Sequence, residues 1–273
     1  MRRTVFAYPY IVWMVLFIFS PMLLIAFYAF MPQGSFTLSN IVDAFKSEIY
    51  MQVLLRSVWI ALKATAYCLL LGYPVAYFLA NMKRSTASLL YVLFIVPMWM
   101  NFLLRTYAWQ VLLDTNGIIN SVLTWLGFAE QQLLYTESAV MLGTIYNFLP
   151  FMILPIYTVL SKLDHSHIEA ASDLGANGVV TFFRVVLPLS MPGVISGITM
   201  VFIPAITTFA ISRLLGGGMF MLYGDLIESQ FITLSNWSSG SALSFILLIL
   251  VLISMFIMRK ADHSAGETGG KLW

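Results

Sequence analysis

A chain of 273 residues in which 60% are apolar and only 10% charged cannot be an ordinary water-soluble domain, where roughly 25% of residues are charged. A net charge of +2 gives no electrostatic footprint for nucleic acid, and the single cysteine, Cys68, excludes a disulfide framework and a cysteine metal site. The class that remains is an integral membrane protein, an all-α fold in the bilayer.

Arg2 and Arg3 precede the first apolar segment, from about residue 11 to 30. A signal peptide is the competing reading, but the segment is close to the roughly 20 residues needed to span hydrocarbon and lacks a small-residue cleavage site. It is therefore read as a retained helix. Further apolar segments follow at 57–80, 88–113, 138–160, 193–211 and 242–258, which predicts six transmembrane helices in a single transmembrane domain over 1–273.

Two connections between them carry more than turn residues. After the third segment, Asp114-Thr115-Asn116-Gly117 leads into the apolar run 118–128 and then Glu130 and Glu137, a pattern for a short helix lying along the outer interface. After the fifth, Gly216-Gly217-Gly218 leads into an apolar stretch too short to span, then Asp225 and Glu228, which predicts a re-entrant or lid element.

Cations set the orientation. With the N-terminus inside, Arg2, Arg3, Lys83, Arg84, Lys162, Arg184, Arg259, Lys260 and Lys271 fall on cytoplasmic segments, and only Lys46, Arg56 and Arg213 on outer ones. Both termini and the loop 161–192 are then cytoplasmic.

That loop contains Glu169-Ala170-Ala171-Ser172-Asp173-Leu174-Gly175 and, after nine residues, Val185-Val186-Leu187-Pro188. The run Glu169 to Leu174 favours a helix, and Gly175 can take the left-handed conformation that ends one, with Asn177-Gly178 reinforcing the turn. Val179, Val180, Phe182, Phe183 and Val186 put an apolar stripe on a second short helix that Pro188 and Pro192 are expected to terminate. The stretch resembles the EAA loop of bacterial ABC importer permeases, whose pattern is EAA, three residues, Gly, nine residues, then I-x-L-P; Val185 replaces Ile. The resemblance implies a type I importer permease fold in which Glu169, Ala170, Ala171, Asp173, Gly175, Leu187 and Pro188 couple to an ATPase.

Gly72-Tyr73-Pro74-Val75-Ala76-Tyr77-Phe78-Leu79-Ala80, Val96-Pro97-Met98-Trp99-Met100-Asn101, Leu149-Pro150-Phe151-Met152 and Lys162-Leu163-Asp164 are similar to the spermidine/putrescine branch of that family. The resemblance implies a bacterial inner-membrane assembly: a second homologous permease, a dimer of ATP-binding subunits and an external polyamine-binding protein, with the bilayer around it. It also implies a non-catalytic chain that binds no cofactor itself. ATP and Mg²⁺ belong to the partner ATPase, since this sequence has no G-x-x-x-x-G-K-[ST] phosphate loop.

A polyamine asks for carboxylates to pair with its ammonium groups and aromatic faces for cation–π contact. The outer-side candidates for the path are Asp114, Asp225 and Glu228 with Trp99, Tyr107, Trp109, Tyr146 and Tyr223; the other use of Trp and Tyr there is an interfacial belt. Arg105 is expensive in lipid and should face the path, a partner helix or the interface, or else snorkel or pair with Asp114. Lys63 is read as a snorkelling or subunit-interface residue.

Other classes fit less well. A secondary transporter needs paired ionisable groups at the midplane, whereas charges here lie near segment ends. An intramembrane hydrolase or metal site needs a constellation that His165, His167 and His263 do not form, all three falling in inner loops or the tail. Within the importer class, an amino-acid or other small-solute permease is the alternative, and the scarcity of outer cations weighs against an anion.

Overall fold

The computed structural model describes residues 8–31, 35–164 and 166–270, with side chains up to Ala261. The expectations placed on Arg2, Arg3, His165 and Lys271 lie outside these residues, and that on His263 outside the described side chains. All regular structure among the described residues is helical.

Helix α1 runs Tyr8–Phe30 with a widened π turn at Val15–Phe19. The short α2 (Ser39–Lys46) leads into α3 (Glu48–Ala80), followed by α4 (Arg84–Trp99), α5 (Phe102–Leu113) and α6 (Ile118–Trp125). Then come α7 (Glu137–Leu160), α8 (Ser166–Asp173), α9 (Gly178–Thr207), α10 (Ala210–Gly216), α11 (Tyr223–Glu228) and α12 (Trp237–Gly270). Among the described residues five helices are long and apolar enough to cross a membrane, six if the bent pair α4 with α5–α6 is one span.

The apolar segments lie where hydropathy places them, with differences that have local causes. The second helix begins at Glu48, well before residue 57, because Ser47 caps it by accepting from the Tyr50 N–H and Glu48 accepts from Gln52 one turn later. The third segment, read as one helix over 88–113, breaks at Met100 and turns by 91°. Pro97 approaches the end of α4, and Asn101 starts α5 by accepting from the N–H groups of Leu103 and Leu104. The fifth helix ends at Thr207, not at residue 211, and α10 starts afresh after it.

The expectation that Pro188 and Pro192 terminate the second loop helix is corrected: α9 runs through both. A π turn over Phe182–Val186, closed by the Leu187 N–H on the Phe182 carbonyl, widens the helix just before Pro188, so Pro188 enters at the first positions of the regular α-helical part. There its missing N–H costs little. Pro192 sits inside the helix, as prolines do where neighbouring helices shelter the backbone.

The core is the triple packing of α3, α7 and α9, with α1 lying mainly against α12. Small residues let the three backbones approach. Ala61, Ala64, Cys68 and Ala76 are buried on α3, as are Met152, Ile153 and Ile156 on α7. Met152 is clasped by glycines from both neighbours: a Cβ on Gly72 would sit 3.1 Å from its Cγ, and one on Gly197 2.6 Å from its sulfur.

Candidate functional site

Two regions carry the residues singled out by sequence, at opposite ends of the three-helix core. The first is the knob between α7 and α9. Helix α8 ends in a Schellman closure: the Gly175 N–H donates to the Ser172 carbonyl and the Ala176 N–H to that of Ala171, with Gly175 left-handed at φ 80°. Asn177 then caps the next helix, its Oδ1 accepting from the Val180 N–H at 2.9 Å. The glycine elbow and the asparagine cap together fix the angle between two short helical pieces.

The apolar stripe on the second piece divides between two faces. Phe182 and Val186, one turn apart, turn inward: Phe182 meets Tyr73 and Tyr77 of α3 edge to face at 5.7 and 5.6 Å, and Val186 is buried. Val179 and Phe183, also one turn apart, are 67% and 61% exposed, and Leu174 at the elbow is 89% exposed. Glu169, Ala170, Asp173, Gly175 and Pro188 are exposed, and Ala171 and Leu187 half-buried. The knob thus presents an acidic helix beside an uncovered apolar patch. Leu174 was passed over in the sequence because its place in the helical run did not reveal that the elbow would tip it outward.

The second region surrounds the two unusual connections. Helix α6 forms over the run after Asp114, with Ile118, Val122 and Trp125 exposed along one side. Buried Asn120 holds it, donating to the carbonyls of Asp114 and Gln131 and accepting from the Gln131 N–H. Beyond the glycines, Gly217 and Gly218 both adopt positive φ, and the chain returns as α11, whose Tyr223 N–H donates to Ser57 Oγ on α3 at 2.8 Å.

Asp225 and Glu228 share one face of α11, and each already has partners in its own chain. Asp225 Oδ2 accepts from the Ser212 hydroxyl and, at 2.9 Å, from the Leu222 N–H, capping α11. Burial pushes its carboxyl above the ordinary carboxylate value, opposed by these hydrogen bonds and by Arg213. Glu228 pairs with Arg213. Asp114 is exposed and accepts from the Asn116 N–H.

The aromatic candidates are partly brought together: Trp109 and Tyr146 pack as an edge-to-face pair at 5.3 Å. Trp99 is 82% exposed at the α4–α5 break, and Tyr107 is half-exposed. Arg105 is buried on α5, with an Nε that has no hydrogen-bond partner among the described residues. Lys63 makes an ion pair with Glu137 at 3.1 Å and lies 5.3 Å from the centre of the Trp59 ring. Glu137 did not stand out in the sequence, because its partner lies 74 residues away. Among the described residues no cluster of metal-ligating side chains occurs.

Comparison with known proteins follows the same lines. Residues 72–265 match the family of binding-protein-dependent transport system inner membrane components. The chain is 40% identical over 260 residues to the spermidine/putrescine transport system permease protein PotB of Escherichia coli (strain K12), covering 92% of this chain and 94% of that one. It is 39% identical over 259 residues to the PotB of Haemophilus influenzae, covering 92% and 90%. Among solved structures, a bacterial ABC transporter importing the acidic polysaccharide alginate superposes with a TM-score of 0.77 at 14% identity, over 97% of this chain and 96% of that one. A chain of the MetNI methionine ABC transporter gives 0.54 at 19% identity, over 80% and 99%. These last two speak to the fold alone: an ABC importer permease architecture. The chain belongs to the family of binding-protein-dependent transport system inner membrane components.

Proposed function

We propose that this chain is one permease subunit of an ATP-driven importer of polyamines such as spermidine and putrescine. An external binding protein delivers the substrate, and a second homologous permease completes the path. The likeness to two PotB proteins over nine-tenths of the chain carries the substrate class. In this reading the knob is the cytoplasmic coupling element: the uncovered patch of Leu174, Val179 and Phe183, beside Glu169 and Asp173, seats in a groove of an ATPase dimer that holds the ATP and Mg²⁺. Both termini are then cytoplasmic, and Asp114, Trp99, Tyr107, Trp109, Tyr146 and the α11 acids lie toward the outer side.

The knob is built to transmit force as well as to dock. Phe182 is wedged between Tyr73 and Tyr77, so a push on α8 and the start of α9 reaches α3 through packed rings. The test is uptake of radiolabelled spermidine and putrescine by cells whose own polyamine importers are deleted, expressing this chain with its partner subunits. ATP-dependent uptake is expected. Uptake of an amino acid instead, with none of polyamine, would assign the permease to another solute.

A further inference from the structure

Beside the Lys63–Glu137 pair, side chains of α3 and α7 line a groove of about 620 Å³. Lys63, Tyr67 and Leu71 line it from α3, one turn apart each, and Glu137, Tyr146 and Leu149 from α7. Glu137 occupies the first turn of α7, behind the Thr136 cap, where a helix N-terminus favours negative charge. Tyr146 lies nine residues on, about 13 Å along the axis, with Trp109 against its ring. The groove therefore has a carboxylate at one end, the rings of Tyr67 and Tyr146 further along and hydrocarbon from Met141, Leu142 and Ile145 between. That sequence of surfaces matches a flexible chain with ammonium groups separated by methylenes.

The ion pair at the mouth is unlike a buried brace. Its side chains retain 36% and 40% of their accessible surface, so the partners can part without leaving a bare charge in a dry site. Lysine is an ammonium on a flexible four-carbon stem, the same aminobutyl group found in putrescine and at one end of spermidine. The Trp59 ring at 5.3 Å gives the Lys63 ammonium a second resting place when it leaves the carboxylate.

We propose that Lys63 is a tethered stand-in for the substrate: it occupies Glu137 when the groove is empty, and a terminal ammonium of the incoming polyamine takes its place. Glu137 is then the substrate ligand at the groove mouth and Lys63 the residue that keeps the site neutral between turnovers. Exchange of one ammonium for another leaves the charge on Glu137 balanced throughout, which avoids an unpaired ion at the membrane boundary. The proposal rests on the polyamine reading of the importer.

The experiment measures transport rate and stimulated ATPase rate in the complete reconstituted complex, at saturating polyamine-loaded binding protein, normalised to assembled complex. Glu137→Gln should lower transport by about tenfold, less than a fully buried charge pair would lose because this one is partly exposed, with ATPase stimulation retained. Lys63→Met, which keeps the stem and drops the charge, should transport at or above the wild-type rate, and the double variant should behave like Glu137→Gln alone. Glu137→Asp, which keeps the charge and shortens the reach, should give a smaller loss, and it serves if the Gln variant fails to assemble. Equal losses in both single variants with recovery in the double variant would make the pair a structural brace and overturn the proposal. So would loss of the second permease from the purified complex in either single variant, which would make the groove a subunit seam. Wild-type complex that moves no polyamine would overturn the substrate reading itself, and this proposal with it.

Discussion

The hydroxyl of Tyr73 on α3 lies 2.8 Å from Ser190 Oγ on α9, joining residues 117 apart in the chain inside the helical core. Ser190 has one proton and the Leu187 carbonyl lies 2.9 Å away; giving that proton to the carbonyl and letting Tyr73 donate to Ser190 satisfies both hydroxyls, so we assign Tyr73 as the donor. With Phe182 packed against the same ring, this bond makes the start of α9 and the inner part of α3 one mechanical unit.

An asymmetry between two conservative substitutions follows. Tyr73→Phe removes a donor and leaves Ser190 bonded to Leu187, a loss of about 0.5–1.5 kcal/mol. Ser190→Ala strands the buried Tyr73 hydroxyl and should cost more, about 1–3 kcal/mol. Thermal unfolding of the two variants in the same detergent checks the order; equal stabilities would show that Tyr73 has another acceptor.

Phe182→Ala is expected to loosen coupling while the chain still assembles. It removes the edge-to-face pairs with Tyr73 and Tyr77 at the junction between knob and α3, and a third with Phe183, each contributing about 0.5–1.5 kcal/mol beyond area burial. The measurable outcome is a fall in polyamine uptake per ATP hydrolysed, with both permeases and the ATPase still co-purifying. An unchanged ratio would place the transmission elsewhere.

Gly175 offers a cleaner test of the elbow, because a Cβ there would meet no atom within 4 Å while its φ is 80°. The penalty for Gly175→Val is therefore backbone strain alone, roughly 1–2 kcal/mol, relieved by turning the second helical piece away. ATP-driven uptake should be lost at normal membrane levels. Gly175→Asn, which tolerates the left-handed region, should keep a substantial part of it. Near-normal uptake by the valine variant would remove the elbow from the mechanism.

Much of this was legible in one sequence because the signals are local. Hydropathy marks segments, and the residues of the Schellman elbow, Ala171 to Ala176, are contiguous. What hydropathy averages away is direction: the 91° turn at Met100 was signalled by Pro97 and the capping Asn101, yet the surrounding run stays apolar on both sides. The extension of α3 to Glu48 was hidden because Glu48, Gln52 and Arg56 read as loop polarity, although their four-residue spacing places them on one helix face. Pro188 and Pro192 misled for the complementary reason, since a stop signal in water is tolerated where packed helices and a π turn absorb the missing N–H. Pairings such as Lys63 with Glu137, or the Tyr223 N–H with Ser57, depend on how the helices come together, and no local pattern encodes them.

Asp225 separates a structural acid from a substrate ligand. Its Oδ2 accepts both the Ser212 hydroxyl and the Leu222 N–H, and an asparagine carbonyl can accept the same two bonds, so Asp225→Asn should preserve α11. Asp225→Ala removes the cap and should cost about 1 kcal/mol. The pH dependence points the same way. Because burial holds the folded carboxyl above its unfolded value, the folded state binds the proton more tightly, so the penalty at this site is absent below the unfolded pKa. It grows as pH rises through the folded one. Asn at 225 removes that penalty, and the stability difference between wild type and Asp225→Asn should move in favour of the variant as pH is raised across this window. Unfolding curves at several pH values, beside polyamine uptake, read both quantities. Uptake retained by Asp225→Asn and reduced by Asp225→Ala in step with its stability marks a cap; uptake lost in the asparagine variant, with its stability intact, would make the Asp225 charge itself part of the polyamine path.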